Sequence, residues 1–445
     1  MQHSHEALDR PGGFAKANLL APLRHRDFRV LWLGMAVSLI GDGIFFIAVA
    51  WESYSLWNAP AALSIVGIGM TVPTVAFLLL GGVVSDRFDR RLVMVWADSL
   101  RAVAVAALAV LVLMDALRFW QLVALVAVYG IGTAFFTPAF EAIVPELVPR
   151  ADLPAANSLD QLIRPIALRL LGPALGGALI ALGTGFAFAV DATSFAASLV
   201  AVLVLRRVPR AHPAVDASTV SALKEELHFV RRRVWLWGTL LSAAITYLVF
   251  LGPAEVLLPF VVKNDLHGSA GTLGLVLAAG GLGAVGGAAF MGHKGHPRRD
   301  VTVMYLTWTV ATLAIAGYGI ATAAWQLMAA CLVFNALEAA GTIVWATIKQ
   351  RHVPASMLGR VSSLDWLISI GLLPISFALT APVAGAIGAR ATLISAALIG
   401  GVVTLSALFL PGMRDIEGTA ESDPSAGSSA VFPGAPELTP SSLSR

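Results

Sequence analysis

Residues 149–163 read PRADLPAANSLDQLI, and residues 354–368 read PASMLGRVSSLDWLI. Pro149 matches Pro354 and the triplet SLD recurs, both at an offset of 205 residues. Adjacent glycines occur at 81–82 and again at 286–287, with the same offset. A duplication of this length in a chain of 445 residues predicts two related halves of similar size.

The composition indicates a membrane protein. Hydrophobic residues make up 57% of the chain and charged residues 13%, against about 45–50% and about 25% in ordinary soluble domains. A soluble fold cannot bury so much apolar surface, so a soluble enzyme, a disordered chain and a nucleic-acid binder are excluded. A single cysteine, Cys331, excludes a disulfide framework and a thiolate metal cluster.

Twelve apolar runs are long enough to cross a bilayer, for which about 18–20 residues suffice. The spans are predicted, each to within a few residues, at 28–51, 61–83, 92–114, 119–140, 157–182, 186–206, 235–261, 270–292, 301–321, 325–348, 361–386 and 391–411. Together with the repeat, they predict an all-α membrane protein with twelve transmembrane helices in two pseudo-symmetric six-helix bundles.

The domain boundaries follow from this division. We predict an N-terminal bundle at 28–206 and a C-terminal bundle at 235–411, joined by a central cytoplasmic linker at 207–234. Residues 1–27 form a cytoplasmic tail. Residues 412–445, rich in Ser, Pro and Gly, are predicted to be a disordered tail.

The linker carries apolar residues at helical spacing. They are Val220, Leu223, Leu227 and Val230. Two interpretations stay open, namely a surface helix lying on the inner leaflet and a solvated connector.

Basic residues orient the chain. Lys and Arg prefer cytoplasmic loops. If the N-terminus is inside, 22 of the 30 lie near spans on the inner side, and only Arg118, Lys263 and Arg390 lie outside. Both termini are therefore predicted to be cytoplasmic, in a plasma membrane that we take to be a bacterial inner membrane. No loop exceeds 30 residues, which leaves no space for a catalytic domain, and the chain is not expected to be an enzyme.

The loop after the second span reads GGVVSDRFDRR, residues 81–91. It resembles the signature loop of the major facilitator superfamily. The positions that fill the pattern are Gly82, Asp86, Arg87, Arg90 and Arg91. The resemblance implies a major facilitator fold, and we interpret these residues as a cytoplasmic latch between the halves. The alternative is that the arginines only anchor the topology.

The fifth span contains Gly172-Pro173-Ala174-Leu175-Gly176-Gly177. This resembles an element associated with exporters of that superfamily, often proton antiporters. The family pattern has a further glycine where Leu168 stands here. The alternative is an ordinary packing helix kinked by its proline.

The segments 135–160 and 353–364 look like the drug:proton antiporter branch that includes macrolide-efflux proteins and the enterobactin exporter. The resemblance implies proton-coupled export of an amphipathic small molecule, drug or siderophore-like. It implies no cofactor, with the proton gradient as the energy source, and we expect a monomer in the lipid bilayer. The alternative is an importer or facilitator of a nutrient or lipid.

Charged residues inside the spans are the candidate proton or substrate sites, because a charge in hydrocarbon is costly unless paired or functional. Asp42, Arg169 and Glu338 are near mid-span, and Asp191 and Glu255 are secondary candidates. In the superfamily, spans 1, 4, 7 and 10 line the cavity, which implies that Asp42 and Glu338 face it from opposite halves.

Partners can be assigned locally for some of these charges. Asp160 and Arg164, and likewise Asp98 and Arg101, are spaced for pairing on one helix face. Arg169 has no such neighbour. We hypothesise that it pairs with Asp42 or Glu338 in one state and releases it in another. A static pair that fixes helix packing is the alternative.

Overall fold

The computed structural model describes residues 20–149, 152–206, 228–294 and 297–417. Most of the predicted N-terminal tail, most of the linker with its apolar pattern, and the C-terminal tail beyond residue 417 lie outside the described residues. Within the described part, twelve helices are long and apolar enough to cross a membrane. The predicted spans are confirmed.

The first six helices form the N half. Their bounds are α1 Arg26–Leu56, α2 Pro60–Arg87, α3 Arg90–Leu113, α4 Phe119–Leu147, α5 in three segments (Leu153–Arg164, Pro165–Leu171 and Gly172–Ile180) and α6 Thr184–Val204. A short 3-10 turn, Ala21–Arg24, precedes α1.

The last six helices form the C half. Their bounds are α7 Val234–Phe260 extended by Val261–Asp265, α8 Ala270–Lys294, α9 Asp300–Ala314 with Ala316–Ile320, α10 Ala324–His352, α11 Ala355–Gly371 with Leu373–Ile387, and α12 Ala389–Ala407. In hydrocarbon, helices are the structures that satisfy every backbone donor and acceptor within one segment.

The repeat is visible in how the helices begin. Gln121 accepts the backbone N–H of residue 118 at 2.8 Å, and Gln326 accepts that of residue 323 at 3.2 Å. Gly183 and Gly388 precede α6 and α12 with φ of +126° and +88°, a backbone region that suits glycine. Both pairs are 205 residues apart, so the duplication seen in the sequence extends to the local geometry.

The aspartates of the repeated SLD triplet both make ion pairs. Asp160 accepts from Arg164 Nε at 2.8 Å, as the helical spacing predicted. Asp365 accepts from Lys349 Nζ at 2.6 Å and from the Trp345 indole at 2.9 Å. The repeated aspartate therefore meets a cation on its own helix in the N half and on α10 in the C half.

Helix α5 departs from regular α geometry. A π-helical segment runs from Pro165 to Leu171, and Pro173 follows two residues after its end. Proline removes a backbone donor and its ring clashes with the carbonyl four residues earlier, here that of Arg169. The sequence predicted a kink at Pro173, and the distortion lies in the turn that precedes it.

The buried apolar residues form three clusters, which describe how the halves meet. The largest joins both halves and includes Phe45, Tyr54 and Val256. Of the other two, one belongs to the N half, around Phe28, and one to the C half, around Trp235. The shared cluster lies where α1 ends and the two separate clusters where α1 and α7 begin. Among the described residues, the halves therefore share a buried core at one end and have separate cores at the other.

Polar contacts reinforce the packed end. The Tyr54 hydroxyl donates to the carbonyl oxygen of Val256 at 2.6 Å, and the Asn58 amide donates to the Asn264 side chain at 2.7 Å. Both contacts join the N half to the C half. We call this the first-loop end, after the α1–α2 loop at residues 57–59, and we call the opposite one the chain-start end.

Candidate functional site

A buried polar network lies inside the N half, with Arg101 on α3 at its centre. Its guanidinium pairs with Asp98 one turn away and lies 3.8 Å from the carboxylate of Asp42 on α1. Tyr129 on α4 donates to Asp42 at 2.7 Å, and Ser198 on α6 donates to Asp98 at 2.6 Å. We call these five residues the N-half network. It ties together α1, α3, α4 and α6.

A glycine leaves room for the Arg101 side chain, and aromatic rings surround its guanidinium. A Cβ at Gly132 would lie 2.5 Å from Arg101 Cγ, so a larger residue there would displace the side chain. The guanidinium carbon lies 4.5 Å from the ring centroid of Phe136 and 4.8 Å from that of Phe195, within the range of cation–π attraction. The surroundings of the charge are therefore largely apolar, which strengthens its interaction with the carboxylates.

A third carboxylate, Asp191 on α6, lies beside this network. It is fully buried, and it packs against Gly41, the residue before Asp42. One oxygen accepts from the Ser194 hydroxyl at 3.1 Å. The other is buried and has no hydrogen-bond partner among the described residues. Asp42, Asp98 and Asp191 are thus three buried carboxylates in one region, and among the described residues Arg101 makes ion pairs with only the first two.

A second polar cluster joins the two halves. Arg169, in the π-helical turn of α5, donates to Asn335 on α10 at 2.7 Å and lies 3.9 Å from Glu338, one turn further on. Glu255 on α7 is within electrostatic range of Arg169. Of the partners hypothesised for Arg169, the structure pairs it with Glu338.

A cleft opens within the C half between α7, α9, α10 and α12, with about 450 Å³ of empty space that is partly open to the surroundings. It is lined by Thr239, Ser242, Ala243, Thr246, Tyr247, Phe250, Tyr305, Trp308, Ala311, Thr312, Phe334, Glu338 and Thr404. Glu338 is the one charged residue in this lining. The cleft therefore combines aromatic and hydroxyl walls with a single carboxylate.

The placement of Asp42 differs from the expectation. The resemblance implied that Asp42 and Glu338 face one cavity from opposite halves. Asp42 is only 7% exposed and lies inside the N-half bundle, where it meets Arg101 rather than Arg169. The physical reason is that Arg101 and Tyr129 satisfy the carboxylate from the inward faces of α3 and α4.

The glycine-proline element of α5 packs against both halves. Gly172 meets Gly43 of α1 backbone to backbone, whereas Gly177 faces Gly274 at the start of α8 in the other half. Gly176 packs on α1 at Ile44. The backbone of Leu168, at the position of the missing family glycine, also approaches Gly43.

The latch residues make contacts within the N half. Arg90 pairs with Glu146 and donates to the carbonyl of Ala142 at 2.9 Å. Arg91 donates to the backbone carbonyls at the end of α6 at 2.9 and 3.2 Å. Asp86 and Arg87 are exposed. The contact between halves that the latch interpretation requires stays a prediction.

Of the adjacent glycines 81 and 82, the first is the one that packs closely against another helix. An added Cβ at Gly81 would overlap the carbonyl oxygen of Ala134 on α4, whereas one at Gly82 would meet nothing within 4 Å. Consecutive residues point about 100° apart on a helix, so only one of the two glycines faces α4 in this conformation.

Tyr129 and Asn335 were not singled out from the sequence. Tyr129 completes the shell of Asp42, and Asn335 holds Arg169. Asp98 and Arg101 were predicted only as a local pair. The sequence carried one signal for a larger network. The spans of the N half contain several carboxylates, and within its own helix Arg101 can pair with only one of them, Asp98.

The fold, the buried charges and the seam between two related halves define a membrane transport protein of the major facilitator fold. The chain belongs to the transmembrane secretion effector family of the major facilitator superfamily, whose model matches residues 17–430.

Similar proteins include efflux transporters. The chain is 27% identical to the enterobactin exporter EntS of Citrobacter koseri over 86% of its length and 90% of that protein. It is 28% identical to the multidrug efflux pump Tap of Mycolicibacterium fortuitum, covering 85% and 94%. Macrolide efflux protein A of Streptococcus pyogenes is 24% identical, covering 81% and 90%. These matches confirm the resemblance drawn from the motifs.

Solved structures support the fold. The nucleoside transporter NupG aligns with a TM-score of 0.65 at 11% identity, over 86% of this chain and 98% of that one. A bacterial homologue of the iron transporter ferroportin aligns with a TM-score of 0.59 at 18% identity, over 86% and 98%. At such low identity, these likenesses establish the architecture alone.

Proposed function

We propose that this protein exports amphipathic small molecules, drug or siderophore-like, by proton-coupled alternating access. The direction is supported by the relatives, which are named as exporters or efflux proteins. The proton coupling is supported by one observation above all, the buried excess of carboxylates around Arg101. We further propose that it acts as a monomer in the bacterial inner membrane, with both termini in the cytoplasm and no cofactor.

The charge balance is the reason for assigning the proton to the N half. Asp42 and Asp98 lie against Arg101, and Asp191 adds a third buried carboxylate with an oxygen that lacks a partner. An uncompensated buried charge is costly. A proton on Asp191 or Asp42 removes that cost, so the N-half network together with Asp191 is suited to bind and release protons. Each proton that crosses the membrane supplies about 2.3 kcal/mol per 100 mV.

The seam between the halves provides a route from protonation to movement. Gly43 follows Asp42 on α1 and packs on Gly172 of α5, less than one turn from Arg169. Arg169 in turn contacts Asn335 and lies 3.9 Å from Glu338 across the seam. A change in the charge of Asp42 would therefore shift the part of α5 that holds Arg169 against the C half.

Alternating access assigns a role to each end of the molecule. With the N-terminus in the cytoplasm, the first-loop end faces outward, and this conformation is closed toward the outside and open toward the cytoplasm. In the opposite state we expect the latch residues Gly82, Asp86, Arg87, Arg90 and Arg91 to bring the halves together at the chain-start end.

The test is proton flux driven by substrate in reconstituted vesicles. Substrates would be drawn from amphipathic cations, macrolides and catecholate siderophores. We expect substrate movement to be coupled to opposite proton movement in wild type and uncoupled in Asp42→Asn and Asp191→Asn. Asp115→Asn is the matched control, because Asp115 is exposed in the α3–α4 loop with φ of +51°, a conformation that Asn also adopts. Substrate transport without proton flux in wild type would refute the coupling.

A further inference from the structure

The space between equivalent helices has different contents in the two halves. At the repeat offset of 205, Asp42 corresponds to Tyr247, and Tyr129 corresponds to Phe334. In the N half, the space between α1, α3, α4 and α6 holds Arg101 and its carboxylates. In the C half, the equivalent helices α7, α9, α10 and α12 enclose the cleft. A charged network therefore occupies the N half where the C half has a cleft with a single carboxylate, Glu338, in its lining.

The walls of the cleft favour an apolar ligand with aromatic or aliphatic bulk. Aromatic rings of Tyr247, Phe250, Trp308 and Phe334 line it. Four of its seven hydroxyl groups bond one another, Thr246 with Thr404 at 3.1 Å and Thr239 with Tyr305 at 2.8 Å. Walls of this kind need few hydrogen bonds from a ligand, and apolar lining with a few polar groups is typical of small-molecule sites.

The charge in the cleft favours a cation. Glu338 is the one charged side chain of its lining, and its hydrogen bond within the described residues comes from the Thr342 hydroxyl at 3.1 Å. Arg169 is close to it at 3.9 Å, beyond a normal hydrogen bond, and makes its shorter bond to Asn335. The Arg169 side chain is 52% exposed. It keeps its bond to Asn335 when it leaves Glu338.

We propose that the cleft between α7, α9, α10 and α12 binds the apolar body of a hydrophobic cation, whose charge pairs with Glu338 in place of Arg169. The proposal rests on the proposed function for its transport role and names the substrate class at that site. Arg169 is then a competitor for the carboxylate, so ligand binding separates it from Glu338 while its bond to Asn335 remains.

The test is equilibrium binding of radiolabelled tetraphenylphosphonium to the purified full chain in detergent. We expect Glu338→Gln to weaken binding about tenfold, the factor for one lost ion pair of about 1.4 kcal/mol. Arg169→Gln should change binding in the opposite direction and tighten it several-fold, because the competitor is removed, whereas Arg169→Lys should retain wild-type affinity. Neutral triphenylphosphine oxide should bind Glu338→Gln and wild type equally.

A cavity-filling pair supplies a test that does not depend on charge. Ala243 lines the cleft, so Ala243→Phe should reduce tetraphenylphosphonium binding at least tenfold. Ala106 on α3 is exposed, and Ala106→Phe is the matched control with unchanged affinity. Size-exclusion profiles and thermal unfolding would verify that each variant is folded.

The outcomes separate this proposal from the proposed function. Unchanged affinity in both Glu338→Gln and Ala243→Phe would overturn the site, as would weaker binding in Arg169→Gln. If the variants change the binding affinity as expected while wild-type vesicles move substrate without protons, the proposed site is supported and the proton coupling is refuted. If proton coupling is observed in vesicles while tetraphenylphosphonium binds the cleft variants with wild-type affinity, the proposed site is refuted and the proposed function stands.

Discussion

Arg101 is the residue on which the interior of the N half depends. It is 4% exposed and interacts with Asp98 on its own helix and Asp42 on α1. Removing one partner of a buried ion pair leaves the other charge without compensation, which is far more costly than losing a pair at the surface. The network should therefore contribute to the stability of the bundle as well as to any exchange of protons.

We predict that Arg101→Gln lowers the free energy of unfolding by about 3–5 kcal/mol. Arg164→Gln breaks the pair with Asp160, in which both side chains are partly exposed, and should cost less than about 1 kcal/mol. Equilibrium unfolding in mixed detergent–SDS micelles measures both. Adding Asp98→Asn to Arg101→Gln should recover part of the loss. Equal losses for the two single variants would contradict the central role of Arg101.

Close contacts between helices depend on a few glycines, because association in lipid is driven by packing rather than by the hydrophobic effect. Helix α5 is the clearest case, since its glycines touch α1 on one side and α8 on the other. The π-helical turn between Pro165 and Pro173 carries Arg169 to the seam. Such turns occur frequently at functional sites.

The adjacent glycines of α2 offer a test at this scale. Gly81→Ala places a Cβ against the Ala134 carbonyl, and we expect the free energy of unfolding to fall by about 1–3 kcal/mol. Gly82→Ala meets open space and should change it by less than about 0.5 kcal/mol. Thermal unfolding in detergent compares the two. If Gly82→Ala were the more damaging substitution, Gly81 would not be the residue of α2 that packs against α4.

For the whole molecule, the arrangement of the buried clusters defines the conformation. One cluster joins the halves at the first-loop end, and two separate clusters lie at the chain-start end. Closing one end while opening the other needs the contacts of Tyr54 with Val256 and of Asn58 with Asn264 to break.

We predict that a covalent link at this end stops transport. In a Cys331→Ala background, Asn58→Cys with Asn264→Cys should react with a short bifunctional thiol reagent, because the two native side chains are 2.7 Å apart. Transport in vesicles should then be lost, and each single cysteine variant treated in the same way should remain active. Full transport by the cross-linked protein would refute alternating opening at the first-loop end.

Much of the architecture could be predicted from the sequence. The spans, their number and the repeat follow from apolar runs and recurring residues, because a bilayer allows few backbone solutions. The pairs Asp160–Arg164 and Asp98–Arg101 follow from helical spacing. For Arg169, the sequence leaves two possible partners on other helices, the carboxylates of Asp42 and Glu338.

By itself, the sequence determined the fold, the positions of the twelve spans, the local ion pairs and the family. Only the tertiary structure decided that Asp42 belongs to Arg101 and Tyr129, that Glu338 meets Arg169, and that Gly81 rather than Gly82 packs on α4. The physical reason is that periodicity specifies which face of a helix a residue occupies, whereas its partner depends on the rotation and depth at which two helices meet. This rotation and this depth depend on the packing of many side chains at once.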